Sequence, residues 1–202
     1  MEPLIDVLWL VNQQDKLVVE WHAGPVGHDE GDPLRAVMLD NHARNFELWH
    51  EEDKARDPQA TDAVIATVKR AIDKINQARN DAMERIDEQV LAGLGDPAAD
   101  PDVAPTQHSE TVGSIVDRLS ILSLKVFHMR EETEREDAPE EHRRSCLAKL
   151  AVLREQRNDL ARALNGLIAD LQAGLKRFKV YRQMKMYNDP SLNPVLYGKT
   201  GE

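Results

Sequence analysis

The chain has 202 residues, 41% of them hydrophobic and 31% charged, which suffices for one domain with a sizeable core and argues against disorder throughout. Its net charge of −10 excludes a general nucleic-acid binder, because most of the surface would repel a phosphate backbone. A single cysteine, Cys146, excludes an intramolecular disulfide and a multi-cysteine metal site.

Taken in order, Pro3 opens a first predicted helix reaching His22, and a loop rich in Gly and Asp follows from Ala23 to Gly31. Asp32-Pro33 reads as an N-cap followed by proline at the first helical position. The second helix runs from there to Asp57, where Pro58 interrupts it. A third starts between Pro58 and Asp62 and ends near Ala92, with Gly93 as its stop. Residues 94–110 carry Pro97, Pro101, Pro105 and three aspartates and read as a mobile connector. The fourth helix spans Thr111 to Arg135, and the fifth starts at Pro139 and continues past Leu175. Residues 188–202 form an irregular tail, broken by Asp189-Pro190 and Asn193-Pro194. No strand pattern is visible. The expected fold is all-α: one domain over 1–202, an antiparallel helical bundle of two long hairpins plus an N-terminal helix.

Arg79-Asn80-Asp81 recurs as Arg157-Asn158-Asp159, and at the same offset His50 aligns with His128 and Trp49 with Phe127. Either a duplication or the chance likeness of two amphipathic hairpins accounts for this echo.

Several polar residues fall where apolar ones belong. On the third helix, Ile65, Val68, Ile72, Ile75, Ala82, Ile86 and Val90 form one stripe with Arg79 at its centre. On the fifth, Cys146, Leu150, Leu153, Leu160, Leu164 and Ile168 surround Arg157. The second helix sets Asn41, Asn45, Glu52 and Arg56 on the face of Leu34, Val37, Met38, Leu48 and Trp49. A buried charge needs a partner, so Glu52 is expected to pair with Arg79 and Asp117 with Arg157. Two readings stand: a network that fixes helix register, or a buried polar site built from Asn45, Glu52, Arg56, Asp73, Asn76, Arg79, Asp117 and Arg157.

Other chemistry is thinner. Glu52, Asp53 and Asp73 are the candidate metal ligands, as hard oxygen donors suited to Mg2+, although no cofactor is predicted. His50 and His128 lack HExxH spacing and a second histidine a turn away, so each is expected to pack at a helix surface beside a hydrogen-bonded partner. Cys146 reads as a buried, inert thiol. Between Lys176 and Tyr187 five basic residues interleave with aromatics and methionines, without an acid. Lys179, Arg182, Lys185 and Tyr187 are the anion-binding candidates there, unless these cations serve the end of the fifth helix and pair with acidic neighbours. Met1-Glu2-Pro3 does not resemble a signal peptide, and no apolar run would span a bilayer, so a cytoplasmic protein without a transmembrane segment is expected.

The stretches NFELWHEEDKAR (Asn45 to Arg56), KRAIDKINQARNDAMERID (Lys69 to Asp87), SETVGSIVDRLSILSLKVFHM (Ser109 to Met129), REQRNDL (Arg154 to Leu160) and KVYRQMKMYNDPSLNPVLY (Lys179 to Tyr197) resemble a bacterial family catalogued as a domain of unknown function. The resemblance covers nearly the whole chain. A second helical family of unknown function is similar over DRLSIL and LWxxED. Both occur beside glycosyltransferase genes of lipopolysaccharide and surface-polysaccharide assembly, which implies a role in envelope glycan synthesis and assigns no catalytic residue. The expected function is an accessory or ligand-binding protein that recognises a glycosyltransferase, a sugar nucleotide or a phosphosugar. The alternatives are a Mg2+-dependent phosphohydrolase of nucleotides or sugar nucleotides, with Arg79 or Lys185 on the phosphate, and a purely structural homo-oligomer.

Overall fold

The structure, a computed structural model, describes residues 3–95, 104–186 and 189–198. Five long helices dominate them: α1 (Val7–Ala23), α2 (Pro33–Ala55), α3 (Asp62–Leu94), α4 (Val112–Glu134) and α5 (Glu140–Gln172). The fold is helical, as expected.

Local chemistry sets the helix starts. Asp6 accepts the Trp9 N–H at 2.9 Å, so α1 begins at Val7 rather than at Pro3. Asp32 accepts the Arg35 N–H at 2.8 Å with Pro33 behind it, as the sequence predicts. Thr61 and Thr111 cap α3 and α4 in the same way. The ends differ more from expectation. Helix α3 runs through Gly93 to Leu94 and stops at Gly95, whose φ is +61°. Gly93 instead gives Leu4 room, since a Cβ there would sit 2.8 Å from Leu4 Cδ1. Helix α5 ends at Gln172, short of Leu175, because Gly174 takes a φ of +70°.

That turn releases Lys176–Arg177 as a two-residue strand, β2, which pairs in parallel with β1 (Thr106–Gln107). Thr106 N–H donates to the Leu175 carbonyl at 3.0 Å and His108 N–H to the Arg177 carbonyl at 2.8 Å. The sequence shows no strand here, and two residues are too few for a period-2 pattern. The ladder holds Thr106 to His108 within the expected connector, of which residues 96–103 lie outside the described residues. Within the tail, Pro194–Tyr197 forms one short helix, α6, capped by Asn193.

Helix α2 packs on α3 and α4 packs on α5, while α4 also touches α1, α2 and α3. The main core joins Leu10, Val37, Met38, Ile86, Val90, Leu119, Leu164 and Leu171, with Phe178 from beyond β2 inserted among them. A second cluster joins Leu17, Val18, Trp21, Leu39, Phe46 and Leu124. Among the described residues, no helix is long and apolar enough to cross a membrane.

Candidate functional site

Asp117 on α4 is the centre of the buried polar network. It is 3% exposed. Arg79 of α3 grips it with both edges of the guanidinium fork, Nε to Oδ1 at 2.7 Å and Nη2 to Oδ2 at 2.5 Å. Two amides of α2 complete the shell, Asn45 donating to Oδ1 at 2.9 Å and Asn41 at 3.1 Å. The carboxylate in turn holds the Arg79 guanidinium charged beyond its ordinary range, outweighing the opposing cost of burial. Asn45 also donates to Ser120 Oγ at 3.1 Å, and Ser120 meets His42 Nδ1 at 2.7 Å. His42 Nε2 lies 2.9 Å from the Gln14 carbonyl, which can only accept, so Nε2 carries the proton and Nδ1 accepts from Ser120. Four helices, α1 to α4, are thereby stitched together by groups whose partners are all polar.

The expected pairings are therefore corrected. Arg79 pairs with Asp117, not Glu52, because Asp117 offers a desolvated carboxylate directly across the helix interface. Glu52 bonds Arg56 of its own helix at 3.1 Å, and both are substantially exposed. Arg157 pairs with Asp15 of α1, not Asp117: Nη1 donates to Asp15 Oδ2 at 2.7 Å and Nη2 to the Val11 carbonyl at 2.7 Å. Asp73 pairs with Lys69 one turn away, and Asn76 is half-buried on α3.

Above Asp117 lies a cleft of about 410 Å³ lined by Asn45, Leu48, Trp49, Glu52, Asp53, Arg56, Arg79, Ile121 and Leu124. It gathers five of the residues singled out from the sequence, with its cations and carboxylates in balance. Of the candidate metal ligands, Glu52 and Asp53 line this cleft; Glu52 pairs with Arg56, and Asp73, outside the lining, pairs with Lys69.

A second cleft, of about 510 Å³, opens between α1, α4 and α5 and has a different character. Lys16, Arg130, Arg154 and Arg157 line it with Asp15, Asn158, Val19, Val126 and Phe127. Ser123 donates to Asp15 at 2.8 Å beside the buried Arg157, whose Nε is itself buried without a hydrogen-bond partner. At the offset of the sequence echo, Arg157 and Phe127 line this cleft as Arg79 and Trp49 line the other. Lys16, Arg130 and Arg154 carry no signal in the sequence, because exposed cations on helices are ordinary.

The C-terminal candidates are engaged elsewhere or exposed. Arg182 spans Glu84 and Glu88 of α3 at 2.8 and 2.5 Å, and Glu84 also accepts the Gln183 N–H at 2.9 Å. Lys179 is exposed and Lys185 half-buried, while Tyr187 lies outside the described residues. Through Arg182 and Gln183 this segment is strapped across α3.

The histidines come together in a way their spacing does not reveal. His22 of α1, His50 of α2 and His128 of α4 each offer a ring nitrogen within 4.8 Å of the other two. Phe46, Trp49 and Phe127 enclose them, Trp49 stacked on His128 at 4.8 Å and Phe127 on His22 at 4.4 Å. Burial lowers the proton affinity of His128, partly offset by Glu131. His50 and His128 do have the hydrogen-bonded partners expected of them, Phe46 O and Glu131. Sequence spacing hides the cluster, because three side chains on three helices share no local pattern. The one hint was the echo that aligns His50 with His128. Cys146 is buried, as expected, with Sγ 3.4 Å from His142 Nε2.

No curated protein and no solved structure matches the chain. The sequence model of one family does match, over residues 35–180, a span that runs from within α2 past α5 and includes Arg79, Arg157 and two of the three clustered histidines. The chain belongs to the family described as Protein of unknown function (DUF4254).

Proposed function

We propose that the protein binds a small phosphorylated ligand of the sugar-nucleotide or phosphosugar class in the cleft between α1, α4 and α5. One observation carries the reading: in a chain of net charge −10, Lys16, Arg130, Arg154 and Arg157 converge on a single concave site with one carboxylate among them. Phosphate oxygens match planar guanidinium groups in geometry and charge. Phe127 and Val126 supply an apolar wall for a sugar or base. The resemblance to families encoded beside glycosyltransferases supports placing this binding in cytoplasmic envelope-glycan assembly, as an accessory to those enzymes. In this reading α2–α3 and α4–α5 are two antiparallel hairpins, and the α1 face of the second hairpin presents the ligand.

Calorimetric titration with UDP-glucose, glucose 1-phosphate, inorganic phosphate and glucose tests it. The phosphorylated compounds should bind and glucose should not. Replacing Arg130 and Arg154 together by Ala should weaken binding roughly 10- to 100-fold, given about 1.5–3 kcal/mol for hydrogen bonds to charged groups. Equal affinity for glucose and its phosphate, or no heat with any of the four, would remove the reading.

A further inference from the structure

We infer that His22, His50 and His128 form a binding site for a borderline divalent transition-metal ion of the Zn2+ class, with three imidazole nitrogens as ligands and one coordination position open. The inference is independent of the phosphorylated-ligand reading.

The first support is the tautomer of each ring. His22 Nδ1 lies 2.6 Å from the Val18 carbonyl and His50 Nδ1 lies 2.9 Å from the Phe46 carbonyl. A carbonyl only accepts, so Nδ1 is the protonated nitrogen in both. His128 Nδ1 lies 2.8 Å from Glu131 Oε2, which imposes the same choice. Each ring is thus left with its lone pair on Nε2, and its orientation is held by a carbonyl or a carboxylate. Metal-binding histidines have this arrangement around them: the second ring nitrogen donates to a backbone oxygen or an acid, which fixes the tautomer and strengthens the ligand.

The second support is what the rings do with those lone pairs. One ring nitrogen from each approaches the others within 4.8 Å, and His128 Nε2 is buried with no hydrogen-bond partner. A buried acceptor without a donor, such as His128 Nε2, gains nothing from packing. A cation between the three rings satisfies all three at once. Zn–N bonds of about 2.0–2.1 Å at tetrahedral angles place ligand nitrogens roughly 3.4 Å apart, so closure needs only a small inward turn of the rings. His22 is exposed and has the freedom for it.

The ligand set also chooses the metal. Imidazole nitrogens suit Zn2+, Co2+ and Ni2+, whereas Mg2+ requires oxygen, and the aromatic walls of Phe46, Trp49 and Phe127 supply none. Three protein ligands leave a fourth position on the exposed side, the pattern of sites that bind water or a substrate group rather than of closed structural sites. Phe127 lines the cationic cleft and Trp49 the cleft above Asp117, so the ion would sit between the two. A second cluster, Glu132, His142 and Cys146, is poised differently: His142 Nε2 already bonds Glu132 at 2.8 Å and meets Cys146 Sγ at 3.4 Å, so its lone pair is not free to converge on an ion.

Equilibrium dialysis of the chelator-treated full chain against Zn2+ and against Co2+, with metal counted by mass spectrometry, tests the site. One ion per chain is expected, undisturbed by millimolar Mg2+. The Co2+ form should show the strong visible absorption of a four-coordinate ion and no near-ultraviolet thiolate charge-transfer band. His50→Gln and His128→Gln should each weaken binding roughly tenfold or more. His22→Ala, on an exposed side chain, should do so with an unchanged helical spectrum. The double variant His142→Ala, Cys146→Ser should bind as before. Absence of stoichiometric binding, retention of it in all three histidine variants, or its loss on removal of Cys146 would each overturn the assignment.

Discussion

His42 and Asp87 are both buried and both titrate abnormally, in opposite directions. Burial drives the His42 pKa from 6.5 down to about 3, with the Gln14 carbonyl opposing and Arg157 assisting. Between those values the unfolded chain binds the proton and the folded chain does not. The contribution of His42 is therefore complete above pH 6.5 and is lost as pH falls toward 3. Burial raises the Asp87 pKa from 3.8 to about 6, although Gly113 N–H at 2.7 Å and Thr111 both stabilise the anion. Here the folded chain holds the proton longer, so stability falls as pH rises from about 4 to 6. Asp87→Asn should raise stability at pH 7.5 by on the order of 1–2 kcal/mol and steepen the loss between pH 6 and 4, where the lowered proton affinities of His42 and His128 would then act without that opposition. Thermal midpoints of both proteins across that range check this; parallel curves would count against it. Imidazole nitrogen shifts should show His42 as the neutral Nε2–H tautomer at pH 5.

Helix α4 owes its place to small and polar residues as well as to its buried apolar ones. A Cβ on Gly113 would lie 2.3 Å from the Met83 carbonyl oxygen, so only glycine lets α4 approach α3 this closely. Gly113→Ala should separate the two helices at a cost of about 1–3 kcal/mol in urea unfolding. A turn further on, Asp117 satisfies Arg79, Asn41 and Asn45 together, and Asp117→Ala would leave a buried guanidinium and two amides without their acceptor. A loss of about 3–5 kcal/mol is expected, measured the same way. Ligand affinity in the cationic cleft should survive both changes, provided the protein stays folded. The C-terminal strap belongs to the same scale: Phe178 in the core, β2 on β1, and Arg182 on Glu84 and Glu88 act in series. Arg182→Ala should speed amide exchange over 178–186 and leave anion binding unchanged, which separates strap from site.

Across the whole molecule, two clefts repeat one plan with different charge. In each, an arginine from the second helix of a pair reaches an aspartate on a third helix, and an aromatic residue stands at the wall. The clustered histidines stand between these walls, on α1, α2 and α4. The molecule thus concentrates its unusual polar chemistry around α4, which packs against α1, α2, α3 and α5.

Helix content, most helix starts and the apolar stripes were legible in the sequence, because caps, prolines and the 3.6-residue period act over a few neighbouring residues. That Arg79 and Arg157 lie among buried leucines and isoleucines followed from the same period. Which acid answers each arginine did not, since Asp117 and Asp15 reach them across helix interfaces that no local pattern encodes. The histidine triad was hidden for the same reason, and the two-residue ladder was too short to leave a pattern. Local free energies select elements; only packing decides which faces of those elements meet.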